Sequence, residues 1–197
     1  MKWDDWNQGL GPRYPHEKVV QFTFRNFPAS ERRGTHSLDL GCGSGVHTVF
    51  LAEEGFDVVG IDISPVGVEN TRRRLTEKGL TAVLAVQDLA ALGLPQDYFR
   101  LVVCVGVLDC AGLAATRATI PAVHRAMSRG GRALFIFASE RDSRVEGENA
   151  LQLHGFTRDE VDAAFRAGFS ELFVDRYITT YRGGEIEQND WLVTAVK

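Results

Sequence analysis

The chain has 197 residues, of which 44% are hydrophobic and 24% are charged, and its formal net charge is −4. This length and composition predict one soluble globular domain over residues 1–197. The weakly acidic balance gives no electrostatic footprint for a polyanion, so nucleic acid is not an expected partner. No apolar run reaches the roughly 18 residues of a membrane-spanning helix. The N-terminus lacks the basic and apolar regions of a signal peptide, so we expect a cytoplasmic protein without membrane contact.

Segment 1–28 is expected to cap the domain, and it holds an amphipathic helix over 15–27 that has proline in its first turn. Short apolar runs and longer amphipathic segments then alternate. The predicted strands cover 37–40, 57–62, 82–86, 99–106 and 132–138, and the predicted helices cover 45–54, 65–78 and 116–127. This alternation predicts an α/β fold with parallel strands and right-handed helical crossovers.

The tail departs from this alternation. Segment 139–155 is polar and has no clear period, and a helix is predicted over 157–167. Two further strands, over 169–179 and 190–196, flank a turn-rich stretch at 182–184 and predict a hairpin added to the sheet.

The most informative motif lies at residues 38–45, which read Leu-Asp-Leu-Gly-Cys-Gly-Ser-Gly, and the next predicted strand ends in Asp62. Glycine allows a sharp turn from strand to helix and a close approach of the backbone to a ligand. A carboxylate at the end of the next strand can accept hydrogen bonds from two ribose hydroxyls. A dinucleotide fingerprint would need glycine at position 46, where Val46 stands, so NAD is disfavoured.

The order Asp39-x-Gly41-x-Gly43-x-Gly45 resembles the first motif of the class I S-adenosylmethionine-dependent methyltransferases. The resemblance covers residues 38–131. It implies a Rossmann-like, doubly wound sheet of seven mostly parallel strands with the last strand antiparallel. It also implies S-adenosylmethionine as cofactor and a small-molecule metabolite as substrate. The cofactor-binding residues that it implies are Asp39, Gly41, Cys42, Gly43, Gly45, Asp62, Ile63, Asp88, Leu89, Gly106 and Val107, with Arg13 and Tyr14 from the N-terminal segment.

The resemblance gives these residues separate roles. The glycine turn would face the methionine moiety, Asp62 would bind the ribose, and Ile63 would lie against the adenine. Asp88 would accept a hydrogen bond from the adenine amino group, while Gly106 and Val107 would lie beside the sulfonium. Two structural alternatives stay open: the segment after Asp62 can simply start a helix, and an aspartate after a strand, like Asp88, is commonly a loop residue or cap.

Methyl transfer from a sulfonium is an in-line displacement, so positioning the acceptor and excluding water can suffice. A hydroxyl or protonated amine acceptor would also need a general base. The catalytic candidates are Asp109, which follows the strand over 99–106, and Tyr14. Asp109 is equally compatible with a helix cap or loop acid. Related sequences often carry histidine after this acid, whereas this chain has Cys110.

Segment 139–155 is expected to select the substrate, because loops on a rigid scaffold commonly carry specificity. Its charged residues and histidine include Arg141, Arg144, Glu148 and His154. An oxygen and a nitrogen acceptor both stay open. So do a non-catalytic cofactor-binding module and a methyltransferase of protein or nucleic acid. The Asn-Pro-Pro-Tyr or Asp-Pro-Pro-Tyr signature that holds a flipped base is replaced here by residues 107–110.

Cys42, Cys104 and Cys110 lack the spacing of metal ligands, and their odd number argues against a disulfide framework. We therefore expect free thiols and no metal. Aromatic residues near the N-terminus leave both a monomer and a homodimer open.

Overall fold

A computed structural model describes residues 2–9, 11–146, 151–166 and 168–197. Seven strands form one sheet. They are β1 (His36–Leu40), β2 (Asp57–Asp62), β3 (Val83–Val86), β4 (Phe99–Val105), β5 (Met127–Ala138), β6 (Glu171–Tyr181) and β7 (Ile186–Val196). The helices are α1 (Lys2–Gly9), α2 (Glu17–Asn26), α3 (Val46–Glu53), α4 (Pro65–Glu77), α5 (Leu108–Ala126) and α6 (Arg158–Ala164).

The strand order is β3-β2-β1-β4-β5-β7-β6. Strands β1 to β5 pair in parallel, and β7 runs antiparallel to both β5 and β6. The last strand is therefore the antiparallel one, which confirms the predicted seven-stranded sheet. The order changes direction between β1 and β4. In open parallel sheets, ligands bind at such a switch point, outside the carboxyl ends of the strands.

Both faces of the sheet are buried. Alternate residues of β4 belong to two different apolar clusters, with Val102 and Cys104 in one and Leu101 and Val103 in the other. The first cluster also contains residues of α5 and α6, while the second contains residues of α2 and α3. Because this central parallel strand is covered on both sides, β4 is a continuous apolar run from Leu101 to Val105 rather than an alternating one.

The structure differs from the sequence prediction at element boundaries. Strand β5 begins at Met127 rather than at 132, and β7 begins at Ile186 rather than at 190. Helix α1 was not predicted, and α5 begins at Leu108 rather than at 116, with a break at Gly112 where φ is +80°. Helix α2 begins after His16, whose Nδ1 accepts a hydrogen bond from the Lys18 N–H, so Pro15 lies before the helix. Helix α6 ends at Ala164, and Ala167, which was predicted as its last residue, lies outside the described residues.

Among the residues that the structure describes, no helix combines the length and the apolar character needed to cross a bilayer.

Candidate functional site

The glycine turn connects β1 to α3. Gly41, Gly43 and Gly45 have φ values of +76°, +47° and +84°, a region that side chains with a Cβ rarely adopt. The backbone N–H groups of Gly41 and Cys42 both donate to the Ile61 carbonyl oxygen, at 2.7 and 3.0 Å. These two bonds hold the turn against the end of β2.

Asp62, the last residue of β2, lies against the glycine turn. Its Oδ2 accepts a hydrogen bond from the Gly43 N–H at 2.8 Å, and its Oδ1 accepts one from the Ser64 N–H at 2.8 Å. Burial raises the pKa of Asp62, although these backbone donors oppose the shift. Ser64 also caps α4, because its Oγ accepts from the Gly67 N–H. The Asp62 carboxylate thus lies against the glycine turn, and the segment that follows it also starts a helix.

Asp39 is the penultimate residue of β1 and is 1% exposed. Its Oδ2 accepts a hydrogen bond from the Thr48 hydroxyl at 2.6 Å, while its Oδ1 has no partner in the described part of the chain. Burial raises the pKa of Asp39 to about 7, and the nearby charge of Asp62 adds to the rise. A buried carboxyl oxygen without a donor is costly, and this one lies close to the candidate ligand site.

Helix α1 covers the turn and packs on α4. The Ser64 hydroxyl donates to Asp4 Oδ1, and the Asn70 side-chain amide donates to the Asn7 carbonyl oxygen, each at 2.6 Å. A Cβ built on Gly43 would lie 3.4 Å from Asn7 Oδ1, and one built on Gly67 would lie 2.8 Å from Asn7 Nδ2. Sequence reasoning missed Asn7, because nothing in a short polar segment shows where its helix docks.

The third predicted motif follows β3. Asp88 is exposed and caps a short 3-10 helix (Leu89–Ala91), with its Oδ1 accepting from the Ala90 N–H at 2.9 Å. Leu89 is buried in the core and Ile63 is half-buried. The Gln87 N–H donates to the Asp62 carbonyl oxygen, so this motif adjoins the second one. The capping role of Asp88 is therefore observed, and its contact with adenine stays a prediction.

The fourth motif follows β4 and meets the first. Gly106 is exposed at φ +66°, and its N–H donates to the Ile136 carbonyl oxygen at 2.8 Å. The Val107 side chain fills the space over Gly41, where a Cβ would lie 2.1 Å from Val107 Cγ2. The first, second and fourth motifs thus meet at the carboxyl edge of β2, β1 and β4.

Asp109 lies in the first turn of α5 and is 2% exposed. Its Oδ2 accepts from the Ala138 N–H and its Oδ1 from the Cys110 N–H, at 3.0 and 3.1 Å. Its carbonyl oxygen accepts from the His154 N–H at 2.8 Å. Burial raises the pKa of Asp109 to about 6. This geometry favours the structural interpretation, an acid that joins α5 to the end of β5, and a catalytic role stays a prediction.

Arg13 and Tyr14 do not meet the glycine turn in this structure. Both are exposed, Tyr14 to 81%. Their neighbours do dock near the turn: the Ser44 hydroxyl donates to the Pro12 carbonyl oxygen at 2.9 Å, and the His16 N–H donates to His47 Nε2 at 3.1 Å. Burial lowers the pKa of His47 to about 4, which keeps its ring neutral and able to accept.

The three cysteines are free thiols. Cys42 and Cys104 are buried, while Cys110 is half-buried and donates from Sγ to the Gly106 carbonyl oxygen at 3.2 Å. Burial raises the pKa of the Cys110 thiol, which disfavours a thiolate nucleophile at this position. Within the described ranges, no group of three or more His, Cys, Asp or Glu is placed to hold a metal ion.

The segment after β5 is held by a network of ion pairs. Arg144 pairs with Asp142, Nη2 to Oδ2 at 2.7 Å, and with Asp190 of β7, and both carboxylates are buried. The Asn189 N–H donates to Asp142 Oδ2 at 2.7 Å. The described part of the predicted substrate loop is thus tied to the sheet. Glu148, which the sequence also placed in this loop, lies outside the described residues.

A family model described as a methyltransferase domain matches residues 38–131, the stretch that holds the glycine turn, Asp62 and the residues after β4. Solved S-adenosylmethionine-dependent methyltransferases share the fold of this chain. Residues 38–131 are a methyltransferase domain. This domain and the shared fold confirm the resemblance to the class I S-adenosylmethionine-dependent methyltransferases that was drawn from the sequence, and with it the fold class and the cofactor.

Three relatives illustrate the similarity of this methyltransferase to known proteins. The 2-methyl-6-phytyl-1,4-hydroquinone methyltransferase of Synechocystis is 44% identical over 70 residues, 35% of this chain and 22% of that protein. The aklanonic acid methyltransferase of a Streptomyces species is 34% identical over 110 residues, 52% of this chain and 47% of that protein. The chain thus spans less than half the length of these curated relatives.

The third relative is a solved structure, the magnesium protoporphyrin IX methyltransferase of Synechocystis with bound S-adenosylhomocysteine. It superposes with a TM-score of 0.74 at 20% identity, over 100% of this chain and 94% of that chain. At this identity, the likeness concerns the methyltransferase fold alone.

Proposed function

We propose that this chain transfers a methyl group from S-adenosylmethionine to a small-molecule metabolite, at an oxygen or a nitrogen atom. The hydrogen bond between Asp62 and the Gly43 N–H carries the proposal. It joins the acid at the end of β2 to the glycine turn, at the place in an open α/β sheet where ligands bind.

The polar atoms around the turn suit the cofactor. Each carboxylate oxygen of Asp62 has a further lone pair beyond its backbone donor, and Asp39 Oδ1 accepts from no donor within the described ranges. S-adenosylmethionine offers donors that match such acceptors, namely the two ribose hydroxyls and the ammonium of its methionine moiety. When bound, it supplies the electrophilic methyl group.

The chain's own contribution to catalysis is positioning. Helix α1 covers Asp62 and the turn, which excludes water from the bound cofactor. Asp109 is buried, and both of its carboxylate oxygens accept backbone hydrogen bonds. Tyr14 is exposed to solvent, so neither residue is placed to act as a base in this arrangement. An acceptor aligned with the sulfonium can react through proximity and orientation alone.

The small-molecule acceptor is supported by two observations. The net charge of −4 does not favour nucleic acid. The relatives above are named for a hydroquinone, for aklanonic acid and for magnesium protoporphyrin IX, all of them small molecules.

Calorimetric titration with S-adenosylmethionine, and with NAD as the competing nucleotide, tests the cofactor assignment. We expect S-adenosylmethionine to bind and NAD not to bind. Asp62→Asn should weaken binding about tenfold or more, since hydrogen bonds to a charged group are lost. Asp57→Asn, at the exposed start of the same strand, is the matched control. Binding of NAD alone, or equal affinities of the two variants, would overturn the assignment.

Methyl-labelled cofactor tests the reaction. The protein is incubated with the small-molecule, protein and nucleic-acid fractions of a cell extract, and the label should enter the small-molecule fraction. Label in a macromolecular fraction would contradict the proposed acceptor. Tight cofactor binding with no transfer to any fraction would favour a non-catalytic module.

A further inference from the structure

Asn7 of α1 presents a buried acceptor to the glycine turn. Asn7 is 9% exposed, and its Nδ2 donates to the Trp3 carbonyl oxygen at 2.8 Å. Among the residues that the structure describes, its Oδ1 has no hydrogen-bond partner. Side-chain amides that only pack between helices normally satisfy both ends. The unpaired Asn7 Oδ1 can therefore accept a hydrogen bond from a ligand that lies over the glycine turn.

The position of Asn7 Oδ1 indicates which chemical group of a ligand could donate to it. A point one bond above Gly43, where a Cβ would stand, lies 3.4 Å from Asn7 Oδ1 and 3.8 Å from Asp62 Oδ2. Two acceptors thus flank one point over the turn, and Asp62 is the residue proposed to bind ribose. A vicinal diol carries two hydroxyl donors side by side, so it can serve both acceptors.

The placement of Asn7 is fixed by specific contacts rather than by loose packing. Hydrogen bonds from Ser64 to Asp4 and from Asn70 to the Asn7 carbonyl oxygen join α1 to α4. Gly67 lies in the first turn of α4, and a Cβ there would lie 2.8 Å from Asn7 Nδ2. The lack of a side chain at position 67 leaves room for the Asn7 amide.

We propose that Asn7 is a cofactor-binding residue, whose side-chain oxygen accepts a hydrogen bond from a ribose hydroxyl of S-adenosylmethionine. Helix α1 then closes over the bound ribose, and the cofactor supplies the missing partner of Asn7. This inference rests on the proposed function, because it takes the ligand of the turn to be S-adenosylmethionine.

The test compares two ligands by calorimetry, S-adenosylhomocysteine and 5′-methylthioadenosine, which keeps the ribose and adenine and lacks the amino-acid moiety. Asn7→Leu keeps the branched shape of the side chain and removes the acceptor, so both ligands should bind about three- to tenfold more weakly. Gly67→Ala should give a similar loss, since its Cβ displaces the Asn7 amide. Gln8→Ala, on the exposed side of the same helix, should bind both ligands like the wild type.

Thermal unfolding without ligand separates this role from a structural one. Asn7→Leu removes an unpaired buried oxygen and also the hydrogen bond from Nδ2 to the Trp3 carbonyl oxygen, two effects of opposite sign. The Tm of the ligand-free protein should therefore change little, while the shift caused by S-adenosylhomocysteine shrinks. A lower Tm with an unchanged ligand shift would mean that Asn7 only packs α1.

The outcomes are distinct. Unchanged affinity of Asn7→Leu for both ligands, or an equal loss in Gln8→Ala, would overturn the inference alone. A loss for S-adenosylhomocysteine without one for 5′-methylthioadenosine would overturn the assignment to ribose. Failure of the wild type to bind S-adenosylhomocysteine would overturn the proposed function itself.

Discussion

Gly41 and Val107 interlock across neighbouring strands. A Cβ added to Gly41 would lie 2.1 Å from Val107 Cγ2 and 2.9 Å from Val107 Cγ1, and Gly41 has a φ of +76°. The turn after β1 can therefore approach the end of β4 only because residue 41 has no side chain. This contact sets the spacing between the glycine turn and the residues proposed to lie beside the sulfonium.

Gly41→Ala should destabilise the fold by roughly 2–5 kcal/mol, the sum of left-handed backbone strain and overpacking against Val107. Trimming the partner tests the second part. In the double variant with Val107→Ala, the loss should be smaller than the sum of the two single losses, because the clash is relieved and only the strain stays. Urea unfolding measures all four proteins, and strictly additive losses would contradict the interlock.

Asp88 is expected to read the adenine amino group. Asp88→Ala should weaken binding of S-adenosylhomocysteine about three- to tenfold, because one hydrogen bond is lost. Its stability cost should stay within the range of a lost cap, about 0.5–2 kcal/mol.

The inosyl analogue of S-adenosylhomocysteine, which has a carbonyl in place of the amino group, supplies the control. The wild type should bind the analogue more weakly than S-adenosylhomocysteine, whereas Asp88→Ala should bind the two alike. Equal discrimination by both proteins would show that Asp88 acts only as the cap of its 3-10 helix.

The sheet could be predicted because its signals are local. Strands such as β4 are apolar runs bounded by turn residues, and the glycines of the turn need positive φ whatever surrounds them. The position of Asp62 near the glycine turn could be predicted because this residue ends an apolar strand, and the structure brings it to the turn as expected.

The rest depends on tertiary contacts that no local pattern reveals. Helix α1 is polar and short, and hydrogen bonds to α4 and close packing on Gly67 stabilise it. Tyr14 looked suited to ligand binding by composition, yet the contacts of Pro12 and His16 leave it facing solvent. Asp109 followed the right strand, but its donors lie on β5 and in its own helix.

Arg144 should be the residue on which the segment after β5 depends. Burial alone would raise the pKa of Asp142, but hydrogen bonds from Arg144 and from the Asn189 N–H lower it below its usual value. Burial raises the pKa of Asp190, and Arg144 opposes that rise. Arg144→Leu leaves both buried carboxylates without their cation, so it should cost roughly 2–4 kcal/mol near neutral pH.

The cost of Arg144→Leu should shrink as the pH falls. The stabilisation of Asp142 exists above its unfolded pKa and is lost as pH falls through its folded pKa, so at low pH the wild type no longer has it. Urea unfolding across the acidic range measures the difference between the two proteins. Arg141→Leu, at an exposed arginine 3.7 Å from Glu140, is the control and should cost less than about 1 kcal/mol. A cost that does not vary with pH would contradict this account.

Asp39 should give the ligand-free protein a distinctive pH dependence. Its folded pKa of about 7 lies above the unfolded value of about 3.9. Between these two values the folded state binds more protons than the unfolded state, so this group lowers stability as pH rises from about 4 to about 7 and contributes no further change above that. Asparagine does not titrate, so Asp39→Asn should become progressively more stable relative to the wild type over the same window.

The difference between the two proteins is the quantity to measure, by urea unfolding at steps between about pH 4.5 and 8.5. His47, whose pKa is lowered to about 4, acts in the opposite direction below about pH 6.5. It is present in both proteins and cancels in the difference. Asp57→Asn should run parallel to the wild type, because Asp57 is exposed. A parallel curve for Asp39→Asn as well would mean that the buried carboxyl beside the glycine turn keeps its ordinary pKa.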